Sequence, residues 1–275
     1  MKGRADGERP AELSVRSALE ELERLRGCRV GLHVAGLEGP LAGVGCGVAE
    51  DGAFPSASLI KVLVLLELLR QADLGLAPLG EELVIRSEDL VEDSEMLGAT
   101  GLPARFSLGE LAEGMITVSD NTATNGLIRR LGRDRIDALA GELGLRCTSL
   151  RREMMDLAAR SRGEENTTSA SDMVALMREI WTGPTLAHES REFALGLLLG
   201  QRLVSRIAFP VPPGARYAHK TGELDGVEND AGILLSPGRS FAVAALVEGD
   251  VGCAAAPVSE ALRSVCGFYA GAGRG

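Results

Sequence analysis

Three short polar segments constrain this chain most: Ser58-Leu59-Ile60-Lys61, Ser119-Asp120-Asn121 and Lys220-Thr221-Gly222, in that order and far apart. On a helix a serine and a lysine three residues apart share one face. The lysine can then take the serine's proton if it is neutral part of the time. Burial ahead of the apolar run Val62-Leu63-Val64-Leu65-Leu66 favours that, because burial disfavours an ammonium. Each segment alone has an ordinary structural explanation. Ser58 and Lys61 can be a helix cap and a solvated charge, Ser119-Asp120-Asn121 a turn capping Thr122 to Ile128, and Lys220-Thr221-Gly222 a strand end. Taken together and in this order they describe an acyl-transfer site.

For those segments to meet, helices and strands must alternate in blocks. After an N-terminal helix, residues 29–37 and 41–49 read as strands of a hairpin turning at Glu38-Gly39-Pro40. From Pro55 to about Leu203 the period is helical, with helices expected over 108–117, 122–131, 135–143, 170–181 and 189–199. Residues 216–221, 231–236 and 241–248 read as strands, and 258–269 as a closing helix. The expectation is an α+β fold: an antiparallel sheet lobe flanked by helices, plus an all-helical lobe, with the site between them. One domain is expected over residues 11–275 after a flexible stretch 1–10, with the sheet lobe at about 11–53 and 206–275 and the helical lobe at about 54–205. Repeats and low-complexity tracts are absent.

Composition removes several function classes. The net charge of -10, from 29 basic and 39 acidic residues, argues against nucleic acid or an anionic membrane as partner. Aromatic residues at 3% leave no stacking platform for single strands. Five scattered cysteines (Cys28, Cys46, Cys147, Cys253, Cys266) show no metal-binding spacing, so reduced thiols are expected and no metal or cofactor is implied. The apolar run from Leu59 to Leu69 contains Lys61 and Glu67 and is too short to span a bilayer. Residues 1–10 have no apolar signal region, so a cytoplasmic location is expected, or an exported one if the chain is a processed form.

The segments Phe54-Pro55-Ser56-Ala57-Ser58-Leu59-Ile60-Lys61, Met115-Ile116-Thr117-Val118-Ser119-Asp120-Asn121-Thr122-Ala123 and His219-Lys220-Thr221-Gly222-Glu223-Leu224 make the chain resemble the serine β-lactamase and penicillin-binding protein superfamily. Within it the similarity is to class A β-lactamase-like proteins and runs from about Val15 to the final helix. The resemblance implies Ser58 as nucleophile, Lys61 as its proton acceptor and Ser119 as the relay to the departing nitrogen. It further implies that Asn121 orients substrate and lysine, and that Lys220 and Thr221 bind a substrate carboxylate. Gly222 would let the ligand lie against the strand edge, and the backbone N–H groups of Glu223 and Ser58 would form an oxyanion hole. The implied substrate is a β-lactam or an acyl-D-alanyl compound, handled by a monomer. Slowly deacylating penicillin sensing, or D-alanyl peptidase or esterase activity, is the alternative.

The departure from the family lies in the loop of the deacylating glutamate. Where class A enzymes carry Glu-Pro-x-Leu-Asn, this chain has Arg151-Arg152-Glu153-Met154-Met155-Asp156-Leu157. Glu153, or failing it Asp156, is the expected substitute for positioning the hydrolytic water, unless both are surface charges paired with arginines. Among other polar residues, His219 is expected to face away from the site if Lys220 faces it. The acidic group Glu88-Asp89 and Glu92-Asp93 reads as a solvated loop, although the resemblance implies that the cleft rim also runs through this region, and residues 164–168 read as a loop exit and helix cap.

Overall fold

The computed structural model describes residues 10–207 and 209–271, so the expectation for residues 1–10 falls outside them except at Pro10. A helix α1 (Pro10–Glu23) leads into strand β1 (Cys28–Gly36) and the short β2 (Gly45–Val48). Strand β3 (Phe54–Pro55), a 3-10 turn (Ala57–Ile60) and helix α2 (Lys61–Asp73) follow, then β4 (Glu82–Ile85), α3 (Glu95–Gly98) and β5 (Ala104–Ser107). Helices α4 (Leu108–Thr117), α5 (Asn121–Leu131), α6 (Arg133–Glu142) and α7 (Leu157–Ser161) come next, then β6 (Thr167–Thr168), α8 (Ala170–Thr182) and α9 (His188–Leu199). The chain closes with β7 (Arg216–Leu224), β8 (Val227–Leu235), β9 (Phe241–Gly249) and α10 (Val251–Gly271).

The main sheet is antiparallel with strand order β2-β1-β9-β8-β7, so β7 has a free edge. Side chains alternate across its strands and build two apolar layers. Val30, Leu32, Val34, Val243 and Val247 pack with α1 and α10 on one face. Ala35, Ala231, Ile233, Ala244 and Leu246 join the helical core of α2, α4, α5, α8 and α9 on the other. Helix α2 is buried on nearly every side from Lys61 to Leu69, which accounts for its apolar sequence all round. Together these elements form the expected α+β architecture.

Differences from the sequence reading are local. The strand expected from residue 41 begins only at Gly45, because Gly39–Leu41 form a 3-10 turn and Gly39 and Gly43 take positive φ. Strand β8 starts at Val227 rather than 231: Glu228, Asn229 and Asp230 look like a polar turn yet are buried in the sheet. Residues 164–168 are more than a loop exit, since Thr167–Thr168 pair with Phe54–Pro55 and Ser169 caps α8. No helix among the described residues is long and apolar enough to cross a membrane.

Candidate active site

Ser58 and Lys61 do not sit on one regular α-helix. Ser58 lies in the 3-10 turn and Lys61 opens α2, and a three-residue period keeps the two on one side just as a helix would. Ala57, one residue earlier, takes φ +48, a strained value for a side-chain-bearing residue. Strand β7 explains how tightly this turn is held. A Cβ at Gly222 would lie 3.1 Å from both Ser56 O and Ser58 N, so the absent side chain is needed for the strand to press against the nucleophile's own backbone. This close approach is a reason for glycine here beside the room for a ligand that the resemblance implies. From the neighbouring strand Asn229 donates its Nδ2 to Pro55 O at 2.9 Å and Ser56 O at 3.3 Å, while its Oδ1 accepts from Val247 N.

Ser119 lies in the tight connection between α4 and α5 with φ +58, which turns its hydroxyl inward. Asp120, wholly buried, fixes that connection by capping α5 through Ala123 N at 2.8 Å and by accepting from Leu97 N at 3.0 Å. Two fully buried lysines converge on Ser119. Lys61 Nζ donates to Ser119 Oγ at 2.9 Å, Ser119 O at 2.7 Å and Asn121 Oδ1 at 2.8 Å. Lys220 Nζ donates to the same Oγ at 3.1 Å and to Thr221 O at 2.8 Å. All three donors of the Lys61 ammonium are therefore used; loss of one proton would free a lone pair.

Burial pulls the Lys61 ammonium well below its usual range, and repulsion from Lys220 adds to the fall. Lys220 is pulled down to about 7, again by burial, with Asp230 on the paired strand acting against the shift. Both buried ammonium groups share the Ser119 hydroxyl, and their repulsion works against holding two charges there at once.

The structure thus brings together Lys61, Ser119, Asn121 and Lys220 by direct hydrogen bonds, and packs Gly222 against the Ser58 turn. Thr221 and the exposed Glu223 follow on the free-edge strand β7. His219 lies on the strand's other face from Lys220, where it stacks on Tyr217 and meets Asp230 at 3.0 Å.

The two loop carboxylates are engaged elsewhere. Glu153 is held by Arg129 through Nε and Nη2, the shortest contact 2.7 Å, and Asp156 caps α7 by accepting from Ala159 N at 2.9 Å. Two asparagines pin the loop's backbone. Asn125 accepts from Met154 N at 2.8 Å and donates to Met154 O at 3.1 Å, and Asn166 binds Arg151 N, Arg152 N and Arg152 O.

Sequence reasoning missed Asn125 and Asn229. Asn125 lies one helical turn beyond Asn121, a spacing that could have drawn notice. The acidic loop is solvated at Glu88, Glu92 and Asp93, and its backbone also borders the site: Glu92 O accepts from Asn121 Nδ2 at 3.0 Å, and Asp93 O from Asn121 N at 3.2 Å. Backbone carbonyls carry no residue-type signal, so no motif could have announced them.

Known proteins resemble the chain in sequence and in fold. A β-lactamase of Streptomyces fradiae is 32% identical over 245 residues, spanning 84% of this chain and 77% of that protein. The structure of PBP-A superposes with a TM-score of 0.84 at 29% identity, covering 96% of this chain and 98% of that one. The class A β-lactamase of the last common ancestor of Gram-negative bacteria gives 0.82 at 28% identity, covering 93% and 99%. The sequence profile of the β-lactamase enzyme family matches residues 14–265, and the chain belongs to that family.

Proposed function

We propose that this protein is a serine hydrolase that opens the β-lactam amide through an acyl-enzyme on Ser58. The observation that carries the reading is the junction at Ser119, where two buried lysines with lowered proton affinity share one hydroxyl. Neutral Lys61 takes the Ser58 proton as Oγ attacks the ring carbonyl carbon. The carbon–nitrogen bond breaks, and Ser119 passes a proton from Lys61 to the departing ring nitrogen. Lys220, while protonated, and Thr221 hold the substrate carboxylate.

The backbone N–H groups of Ser58 and Glu223 receive the carbonyl oxygen as it gains charge. The packing of Gly222 against Ser58 N supports that pairing, since Glu223 is the next residue along β7. Water then hydrolyses the ester and restores Ser58.

One observation favours a second reading, in which acylation is fast and release slow, as in a penicillin-binding protein or D-alanyl peptidase. The only glutamate at the expected point of the loop, Glu153, is tied to Arg129, and the neighbour docked against α5 is the buried Met154. Time-resolved intact mass of the protein with a chromogenic cephalosporin separates the two. A transient Ser58-dependent adduct with product release supports the hydrolase, a persistent adduct supports the slow-release reading, and no adduct overturns both.

A further inference from the structure

The turn that carries Ser58 is held by a cross-strand pair of which the sequence motifs contain only one half. Gly222 and Asn229 stand opposite each other in the ladder of β7 and β8, so they share one face of the sheet, the face on which Ala231 and Ile233 join the helical core. Gly222 lets β7 close on the turn: a Cβ there would lie 3.1 Å from Ser56 O and from Ser58 N, and 3.2 Å from Ala57 Cβ. Asn229, wholly buried, reaches the same turn and donates Nδ2 to Pro55 O at 2.9 Å and to Ser56 O at 3.3 Å. We infer that Asn229 is a positioning residue for acylation: it fixes the two carbonyls ahead of Ser58 and so sets where the nucleophile's Oγ and N–H stand. This rests on the acyl-enzyme reading above and assigns the side chain that holds the nucleophile's backbone.

The amide is oriented by its other end. Its Oδ1 accepts from Val247 N on β9 at 3.3 Å, which leaves the NH2 to face the turn. A flipped amide would set its oxygen against two carbonyl oxygens and its NH2 against that N–H. The turn needs such a hold. Ala57, directly before Ser58, takes φ +48, a conformation that a side-chain-bearing residue keeps only where its surroundings fix it. Ser56 O, the second carbonyl held by Asn229, also accepts from Leu59 N at 3.0 Å, a bond that closes the 3-10 turn around Ser58. Segment 166–168 secures the turn's entry, since Ser56 N donates to Asn166 O at 2.8 Å and Phe54–Pro55 pair with Thr167–Thr168. A buried amide is costly unless its polar atoms are bonded, and both bonds from this NH2 go to the nucleophile's turn. An apolar side chain would fill the sheet's core but leave those carbonyls unheld.

The test is single-turnover acylation by a chromogenic cephalosporin over a range of substrate concentrations, which separates the rate at saturation from substrate affinity, with thermal melting in the same buffers. Asn229→Ala, Asn229→Asp and Ile233→Ala are compared with the parent. Asn229→Ala is expected to slow acylation at saturation by about a hundredfold, the scale of a reacting group displaced by about 1 Å, with affinity changed by less than about twofold. Ile233→Ala opens the core behind the same strand without touching the turn, so it is expected to melt earlier yet acylate near the parent rate. Parent-like acylation in Asn229→Ala, a loss of affinity alone, or equal slowing in Ile233→Ala overturns the proposal, because Asn229 then serves only the sheet. Asn229→Asp keeps the shape and the acceptor for Val247 N, and its carboxyl can donate to the turn only while protonated. Its rate relative to the parent is expected to fall as pH rises, and a ratio near one at every pH overturns the proposal. That variant decides the matter if Asn229→Ala does not fold. If the parent forms no Ser58 adduct, the acyl-enzyme reading fails and the positioning role with it.

Discussion

The junction around Ser119 and the loop carrying Glu153 flank the same helix, yet their polar groups are used in opposite ways. At the junction each lysine donor ends on a residue of the three sequence motifs or on their backbone. In the loop each carboxylate ends on a partner that serves structure: Glu153 on Arg129, Asp156 on the first turn of α7 and Glu165 on Arg152. Residue type therefore states a chemical role only where the partners belong to the same motif set. The sharpest break of the comparison is Ser58→Ala, expected to lower acylation by at least about a thousandfold while the fold melts unchanged. A residual Ser58-independent adduct, seen by intact mass, would move the chemistry away from the junction.

How much of this was legible follows from the same contrast. The order and spacing of Ser58, Lys61, Ser119, Asn121 and Lys220 are carried by side-chain types, and the apolar run of α2 announced the buried lysine. The strands and helices around them show up through pattern, because β9 is an unbroken buried apolar run and α8 buries residues at helical spacing. What stayed hidden depends on tertiary partners. Glu228, Asn229 and Asp230 look like a turn because polar residues usually are solvated, and their tertiary partners, the Ser205 hydroxyl, the Pro55 and Ser56 carbonyls, and Tyr217 with His219, explain them in a strand. Arg129 is eight residues past Asn121 and reads as an exposed helix charge until the loop is folded over it.

The next effect in size is on pH dependence. Lys61 must be neutral to act as base, so acylation is expected to rise with pH through its depressed pKa. Lys220 must be charged to hold a carboxylate, so affinity for a penicillin is expected to weaken by about tenfold as pH rises through about 7. Lys220→Met, assayed as KM against pH, should raise KM at low pH and flatten that alkaline limb. An alkaline limb that persists in the variant would assign it to another group. Stability carries the opposite sign. Unfolding restores an ordinary lysine pKa, so the unfolded chain binds the extra proton between pH 7 and the ordinary value of 10.5, and the buried lysine costs least at the alkaline end of that window.

Smaller effects come from the loop itself. Asn125→Ala leaves both the N–H and the C=O of Met154 without their partner and is expected to cost about 2 kcal/mol by urea unfolding. Because the same side chain docks the loop on α5, the adduct lifetime should change with it. A loss of stability with an unaltered lifetime would separate loop anchoring from release and would weaken the contrast drawn above.

Asp156→Ala gives the smallest effect and the cleanest reading of the loop. If Asp156 serves as the cap of α7, removing its bond to Ala159 N costs about 1 kcal/mol, a shift of about 3 °C in Tm for a chain of this size. Asp156→Asn, which can still accept from that N–H, should restore most of the loss. If Asp156 instead positions the water, Asn would keep the melting temperature and still slow adduct release, since an amide cannot take a proton from water. The two substitutions thus divide a cap from a base: stability follows the acceptor oxygen, while release follows the charge.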